Sequence, residues 1–251
     1  MNVGLYQAAA TMNAANRWQE VVAENLSAGF VPGFKKQDVS FSAVQSGLLA
    51  GQESGRFGQN GRLNIPAGRV STNFQQGELQ PTDTPTDLAL AGPGFFELQR
   101  PDGNKVFTRD GQFRLDSSGQ LVSRQGYTVL GEGGPLQLEP GNGASLSISV
   151  TGEVSQGGQP RGRLTVVDMN DPRLLQPIGD GLFVGGDPAL VTQPAPETVI
   201  RQGFVESSNT SSAQEMAGLI NAMRMHEAGQ KLISTQDELM GRAISELTGP
   251  A

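Results

Sequence analysis

The 251-residue chain has no cysteine and a single histidine, His226. The first absence excludes disulfides, thiolate metal sites and thiol nucleophiles, and it leaves the redox compartment open. One imidazole without a thiolate gives too few soft ligands for a zinc site. A Ser-His-carboxylate triad could be built only around His226, which lies among Met and Glu residues in a helical stretch, the setting of a surface or interface residue. No apolar run approaches the ~18 to 20 residues needed to span a bilayer. Met1 to Asn16 contains no Lys or Arg and is interrupted by Gln7, Thr11 and Asn13. A cleaved secretory signal is therefore not expected, and passage out of the cytoplasm would take another route. Basic residues are also scarce, with 18 Lys+Arg against 25 Asp+Glu and a net charge of -7. Lys35-Lys36 is the densest basic spot, far short of a phosphate-tracking groove, so nucleic acid is not an expected partner.

What the chain has in excess is glycine and proline, 34 and 15 residues, which points to many turns and short strands. The first stretch differs. Leu5, Ala8, Met12, Ala15, Gln19, Val22 and Leu26 follow one another in steps of three and four, a narrow heptad-like seam suited to one or two partner helices. The helix should end near Ala28, with Gly29 in the left-handed cap position and Pro32 unable to continue the ladder. Phe30 and Phe34 in the following turn could serve contacts between subunits or close the chain's own helix end. Residues from about Asp38 to Asn73 read as an extended connector with room for one hairpin.

From Gln75 short alternating runs are separated by turn pairs such as Asp110-Gly111 and Ser118-Gly119, a hairpin signal. Phe95 to Leu98, Val106 to Arg109, Gln112 to Leu115, Gln120 to Val122, Tyr127 to Leu130 and Arg163 to Val167 read as strands. Beyond Gln193-Pro194-Ala195-Pro196 the chain returns to helix, capped by Asn209 or a nearby Ser or Thr, with Glu215 favoured by the dipole in the first turns. Its seam runs through Met216, Leu219 or Ile220, Met223, His226, Gln230, Ile233, Asp237, Met240, Ile244 and Leu247. The expected fold is α+β. Terminal helices pair as a coiled-coil-like layer, and the central domain is mainly antiparallel β. The expected divisions are residues 1–36 for the first helix and turn, 37–74 for the connector, 75–201 for the β domain and 202–251 for the closing helix.

Chemical readings of the remaining motifs are weaker than structural ones. Asp83 with Asp87 lies in a Thr-Pro-rich turn and Glu20 with Glu24 on a solvated helix face, so neither makes a persuasive glycosidase pair. Asp102-Gly103-Asn104 lacks the later ligands of a calcium loop. Gly92-Pro93-Gly94 fails the dinucleotide pattern at its third glycine. No cofactor, small-molecule substrate or enzymatic activity is expected. A secreted β-domain binding module remains a more remote alternative.

Three stretches, in order, resemble the axial rod and hook proteins of the bacterial flagellum. The first is Ala23-Glu24-Asn25-Leu26-Ser27 followed by Gly33-Phe34-Lys35. The second runs from Asp87 through Gly94-Phe95-Phe96 to Phe107-Thr108-Arg109-Asp110-Gly111, then Asp116 to Val122 and Gly126-Tyr127. The third is Gly203-Phe204-Val205-Glu206-Ser207-Ser208-Asn209 leading into Glu215, Arg224, Glu227 and Lys231. Within the family the length, and Ile178-Gly179-Asp180-Gly181-Leu182-Phe183 before the closing segment, resemble the proximal rod type more than the alternatives, the distal rod type or a hook-type axial protein. The resemblance implies a basal-body rod subunit in the periplasm. It would be exported by the flagellar export apparatus and assembled with copies of itself and with other rod proteins. It also implies motif positions at Asn25, Gly33, Phe34, Gly94, Phe95, Phe96, Thr108, Arg109, Gly111, Gly203, Glu206, Ser208, Asn209, Glu215 and Arg224. The helical seams, at Leu5, Ala8, Met12, Ala15, Val22, Leu26, Met216, Ile220, Met223, Ile233, Met240 and Ile244, would form the assembly interface.

Overall fold

The structure, a computed structural model, describes residues 3–46, 63–139 and 145–247. The chain divides into two compact units. One comprises Met1–Ser27, Gln37–Ser71 and Ser211–Ala251; the other comprises Ala28–Lys36 and Thr72–Thr210.

In the first unit, helix α1 spans Val3–Ser27 and helix α2 spans Ser212–Leu247. At 1.5 Å per residue they are about 38 and 54 Å long. The Ala-rich opening of α1 favours helix intrinsically. Ala8, Ala15 and Val22 are buried at the expected seam spacing, and Leu5, Met12 and Leu26 are half-buried. A second face carries buried Ala14, Val21 and Asn25, with Trp18 edge-on to Phe41 at 5.7 Å. Phe41 belongs to the strand Gln37–Ser46, which pairs with Leu63–Thr72. These two arms are the hairpin for which the connector had room; residues 47–62 lie outside the described residues.

The cap of α1 differs from expectation. Gly33, not Gly29, takes the left-handed conformation (φ +67°). The turn closes through Val31 N–H to the Ala28 carbonyl (3.0 Å) and Phe34 N–H to the Val31 carbonyl (3.2 Å). Ser27 Oγ donates to the Glu24 carbonyl, occupying one of the last-turn acceptors. Nor does Asn209 cap α2, because its side chain is committed elsewhere in the other unit.

The helices pack antiparallel, with Gly218 beside Val22 and Gly229 beside Met12 and Ala8. On α2 this inner face is Glu215, Gly218, Ala222, Gly229 and the half-buried Ile233. Close approach selects its small residues: a Cβ added to Gly229 would lie 2.6 Å from Met12 Cγ. Met216, Ile220 and Met223 face elsewhere, each about half exposed, and Met240 and Ile244 are also exposed.

The second unit is built on an antiparallel sheet ordered Leu175–Gly179, Leu182–Gly185, Lys105–Thr108, Phe95–Gln99, Thr128–Gly131, Leu121–Val122 and Arg114–Leu115. Val166–Met169 also pairs with Phe95–Gln99 and carries Thr192–Pro194. Neighbouring residues on a strand point to opposite faces, and here both faces are covered. Phe96 enters a core with Leu88, Leu90, Leu98, Val106, Phe113, Leu121 and Val129. Phe95 enters another with Phe107, Val167, Met169 and Phe183, against which Phe74 packs. The run Arg163 to Val167, expected as one strand, is split. Arg163 ends Gln159–Arg163 in a three-stranded sheet with Leu146–Ile148 and Glu153–Gln156, and the chain then crosses to the main sheet at Val166. Two short ladders join distant parts of the chain: Val199–Gln202 pairs with Leu88–Ala91, and Phe204–Glu206 with Leu79–Pro81.

Candidate assembly site

In the β-rich unit the polar motif residues converge on Glu206, whose side chain is wholly buried. The ladder to Leu79–Pro81 places it, since Glu206 sits opposite Leu79. Its Oε1 accepts from Lys35 Nζ at 2.5 Å and from Gly77 N–H at 2.8 Å, and its Oε2 from Arg109 Nη1 at 3.3 Å. Its backbone carbonyl accepts from Gly33 N–H at 2.7 Å. Lys35, also wholly buried, makes a second bond to the Gln75 carbonyl at 2.7 Å. Arg109 follows the strand Lys105–Thr108 and lays its guanidinium over the Phe95 ring, 5.2 Å from the centroid. Its buried Nε has no partner among the described residues.

Two cations thus share one carboxylate out of water. Burial lowers the Lys35 ammonium below its ordinary pKa, opposed by Glu206. The same burial lowers Arg109, again opposed by Glu206. Asp110 next to it is raised by burial, against the Gln112 N–H bond and the Arg124 charge.

Backbone fit explains two of the motif glycines. A Cβ on Gly33 would run into the Arg109–Asp110 peptide, and one on Gly111 into the Leu88 carbonyl. Asn209 ties three strands of chain: Oδ1 accepts from Lys36 N–H at 2.8 Å, and Nδ2 donates to the Asn73 and Gln75 carbonyls, each at 2.9 Å. Phe34 is buried in this unit, whereas Phe30 at the turn's tip is 91% exposed.

The helical unit has its own buried polar contact. Asn25, in the last turn of α1, accepts from Gln37 N–H and donates to the Gln37 carbonyl, both at 2.8 Å. This is the bidentate pairing that a strand neighbour would provide. Asn25 Nδ2 also donates to Glu215 Oε2 at 3.1 Å, drawing the first turn of α2 to the last turn of α1.

Of the motif positions, Asn25 and Glu215 meet in one unit, and Gly33, Arg109, Glu206 and Asn209 meet in the other. Gly94, Phe95 and Phe96 belong to the cores and their turn. Thr108 Oγ1 donates to the Gly181 carbonyl, Gly203 takes a left-handed turn (φ +74°), and Ser208 Oγ bonds Thr210. Arg224 stands exposed on α2. Sequence reasoning did not single out Lys35, Gln37, Gln75 or Gly77. Lys35 lay inside a quoted motif, but no periodicity marks a lysine as buried; the others contribute backbone groups, which carry no residue-type signal.

These contacts join segments of one and the same chain within each unit. The cleft of about 500 Å³ beside Val150, Leu164, Val167, Pro194 and Val199 has Glu132 as the one carboxylate in its lining. The class defined by this fold is an α+β chain with paired terminal helices and a β-rich unit closed by its own flanking segments. Comparison with known sequences specifies it further. Residues 89–156 match the family described as flagellar hook protein FlgE/F/G D1 domain, and residues 201–246 the flagellar basal body rod FlgEFG protein C-terminal family. The chain is 31% identical to the flagellar basal-body rod protein FlgG of Buchnera aphidicola subsp. Schizaphis graminum, over 90% of this chain and 92% of that one. In Caulobacter vibrioides it matches FlgG at 32% identity (97% and 98% covered) and FlgF at 30% (98% of both). The chain belongs to the flagellar basal-body rod protein family, and its place is the flagellar basal body.

Proposed function

We propose that this rod subunit polymerises through α1 and α2, which form the wall of a drive-shaft tube. The observation that carries the reading is the second apolar face of α2. Once Gly218, Ala222 and Gly229 are turned to α1, Met216, Ile220 and Met223 remain about half exposed. A contiguous apolar stripe on a long helix is a binding surface by default, and coiled-coil-like packing against helices of neighbouring subunits would bury it. Its partners are then copies of this chain and other rod proteins. Export through the flagellar apparatus and a rod crossing the periplasm complete the reading.

Replacing Ile220 and Met223 together by Lys tests it. The variant should retain its circular dichroism and unfolding midpoint yet fail to assemble in a sedimentation assay. Assembly at the wild-type level would refute the helical-wall role. The proximal position is favoured by chain length and by Ile178 to Phe183. The distal position is the second reading, supported by relatives named FlgG at up to 32% identity.

A further inference from the structure

We propose that residues 28–36 form a strap latched by Glu206, so that the β-rich unit cannot close its N-terminal edge until Glu206 is in place. Hydrogen bonds tie the strap to two short segments of its unit. Gly33 N–H and Lys35 Nζ reach Glu206, and Lys36 N–H reaches Asn209 Oδ1. Lys35 Nζ also reaches the Gln75 carbonyl, and the Lys36 carbonyl accepts from Asn73 N–H. Asn73 and Gln75 are themselves held by Asn209 Nδ2 through their carbonyls.

The latch is one-sided. Lys35 and Arg109 come from segments 171 and 97 residues away from Glu206, and both spend their charge on its carboxylate. Without that carboxylate, docking the strap would bury a lysine beside an arginine with no anion between them, an arrangement that desolvation and repulsion both oppose. The ladders reinforce this order. Leu79–Pro81 pairs in a two-stranded ladder with Phe204–Glu206, and Leu88–Ala91 in another with Val199–Gln202. A chain made or delivered N-terminus first therefore presents strap, Arg109 and two open strands well before the segment that closes them. The strap stays undocked until the chain is nearly complete, which prevents a half-finished subunit from adopting its final form.

The test uses the full chain and trypsin, because Lys35 and Lys36 lie within the strap and Lys35 is wholly buried. Digestion well below the unfolding temperature, mapped by mass spectrometry, should cut Glu206→Gln after these lysines at least about tenfold faster than wild type, as for a locally opened segment. Val129→Ala, a cavity in the same unit's core, should lower stability while leaving that cleavage near the wild-type rate. If Glu206→Gln does not fold, Lys35→Met retains the balanced Arg109–Glu206 pair and should show the same acceleration after Lys36. Unchanged cleavage in the folded latch variant, or equal acceleration in Val129→Ala, overturns the proposal.

Discussion

At the scale of single residues, the buried ion cluster dominates. Removing one partner of a buried pair leaves an uncompensated charge, so Glu206→Ala should destabilise the β-rich unit by about 3–5 kcal/mol, measured by denaturant unfolding. The pH response of Lys35 has a definite sign. The unfolded chain holds this proton up to the ordinary value of 10.5, while burial makes the folded chain give it up at lower pH. The unfolded state binds more protons in that window, so stability from this group rises with pH as 10.5 is approached from below. Subtracting the unfolding profile of Lys35→Met from that of wild type should isolate a positive slope there. A difference profile that is flat or falls would show Lys35 keeping its full charge. In the helical unit, Asn25→Ala would strand the Gln37 peptide groups and the Glu215 carboxylate, at a cost of about 1–3 kcal/mol for each buried group left unpaired. None of these three pairings was legible in the sequence beyond the motif that contained them. A polar side chain is marked as buried only by its partner, and the partners of Asn25 and Lys35 lie 190 and 171 residues away.

At the scale of elements, periodicity carried most of the information. The α1 seam falls where its three-and-four spacing puts it, because burial against a single partner helix is what that spacing describes. The seam of α2 shows the limit of the same reading. Ranking positions by hydrophobicity selects Met216, Ile220 and Met223, whereas the face that meets α1 is made from Gly218, Ala222 and Gly229. Backbone proximity, not side-chain size, chose the inner face. Gly229→Leu should therefore separate the helices against Met12 and reduce the helical circular dichroism of the terminal elements, whereas Met223→Ala should change stability by no more than about 0.5 kcal/mol, as surface substitutions usually do. The hairpin at Ser118-Gly119 was legible from its turn pair, whereas Asp110-Gly111 joins Lys105–Thr108 to Arg114–Leu115, strands that pair with other neighbours and not with each other. The crossing between sheets after Arg163 was not legible, since an apolar run looks alike whether it stays in one sheet or changes to another.

At the scale of the whole molecule, the α+β class and the order of helix, β-rich middle and helix were readable from composition and pattern. What pattern could not show is that the β-rich unit reaches back to Ala28 and forward to Thr210, because both extensions are held by single side chains and short ladders. Removing residues 1–27 should leave this unit folded and resistant to protease. Removing 1–36 also takes away Gly33, Phe34 and Lys35, and should lower its unfolding midpoint markedly; equal midpoints for the two truncations would contradict the assignment of the strap. The central claim, that the outward face of α2 joins subunits in the rod, is tested most directly by a photo-crosslinking amino acid at Met223 in intact basal bodies. The account predicts adducts with a second copy of this chain or with another rod protein. Adducts confined to the same chain, in assembled rods, would contradict it.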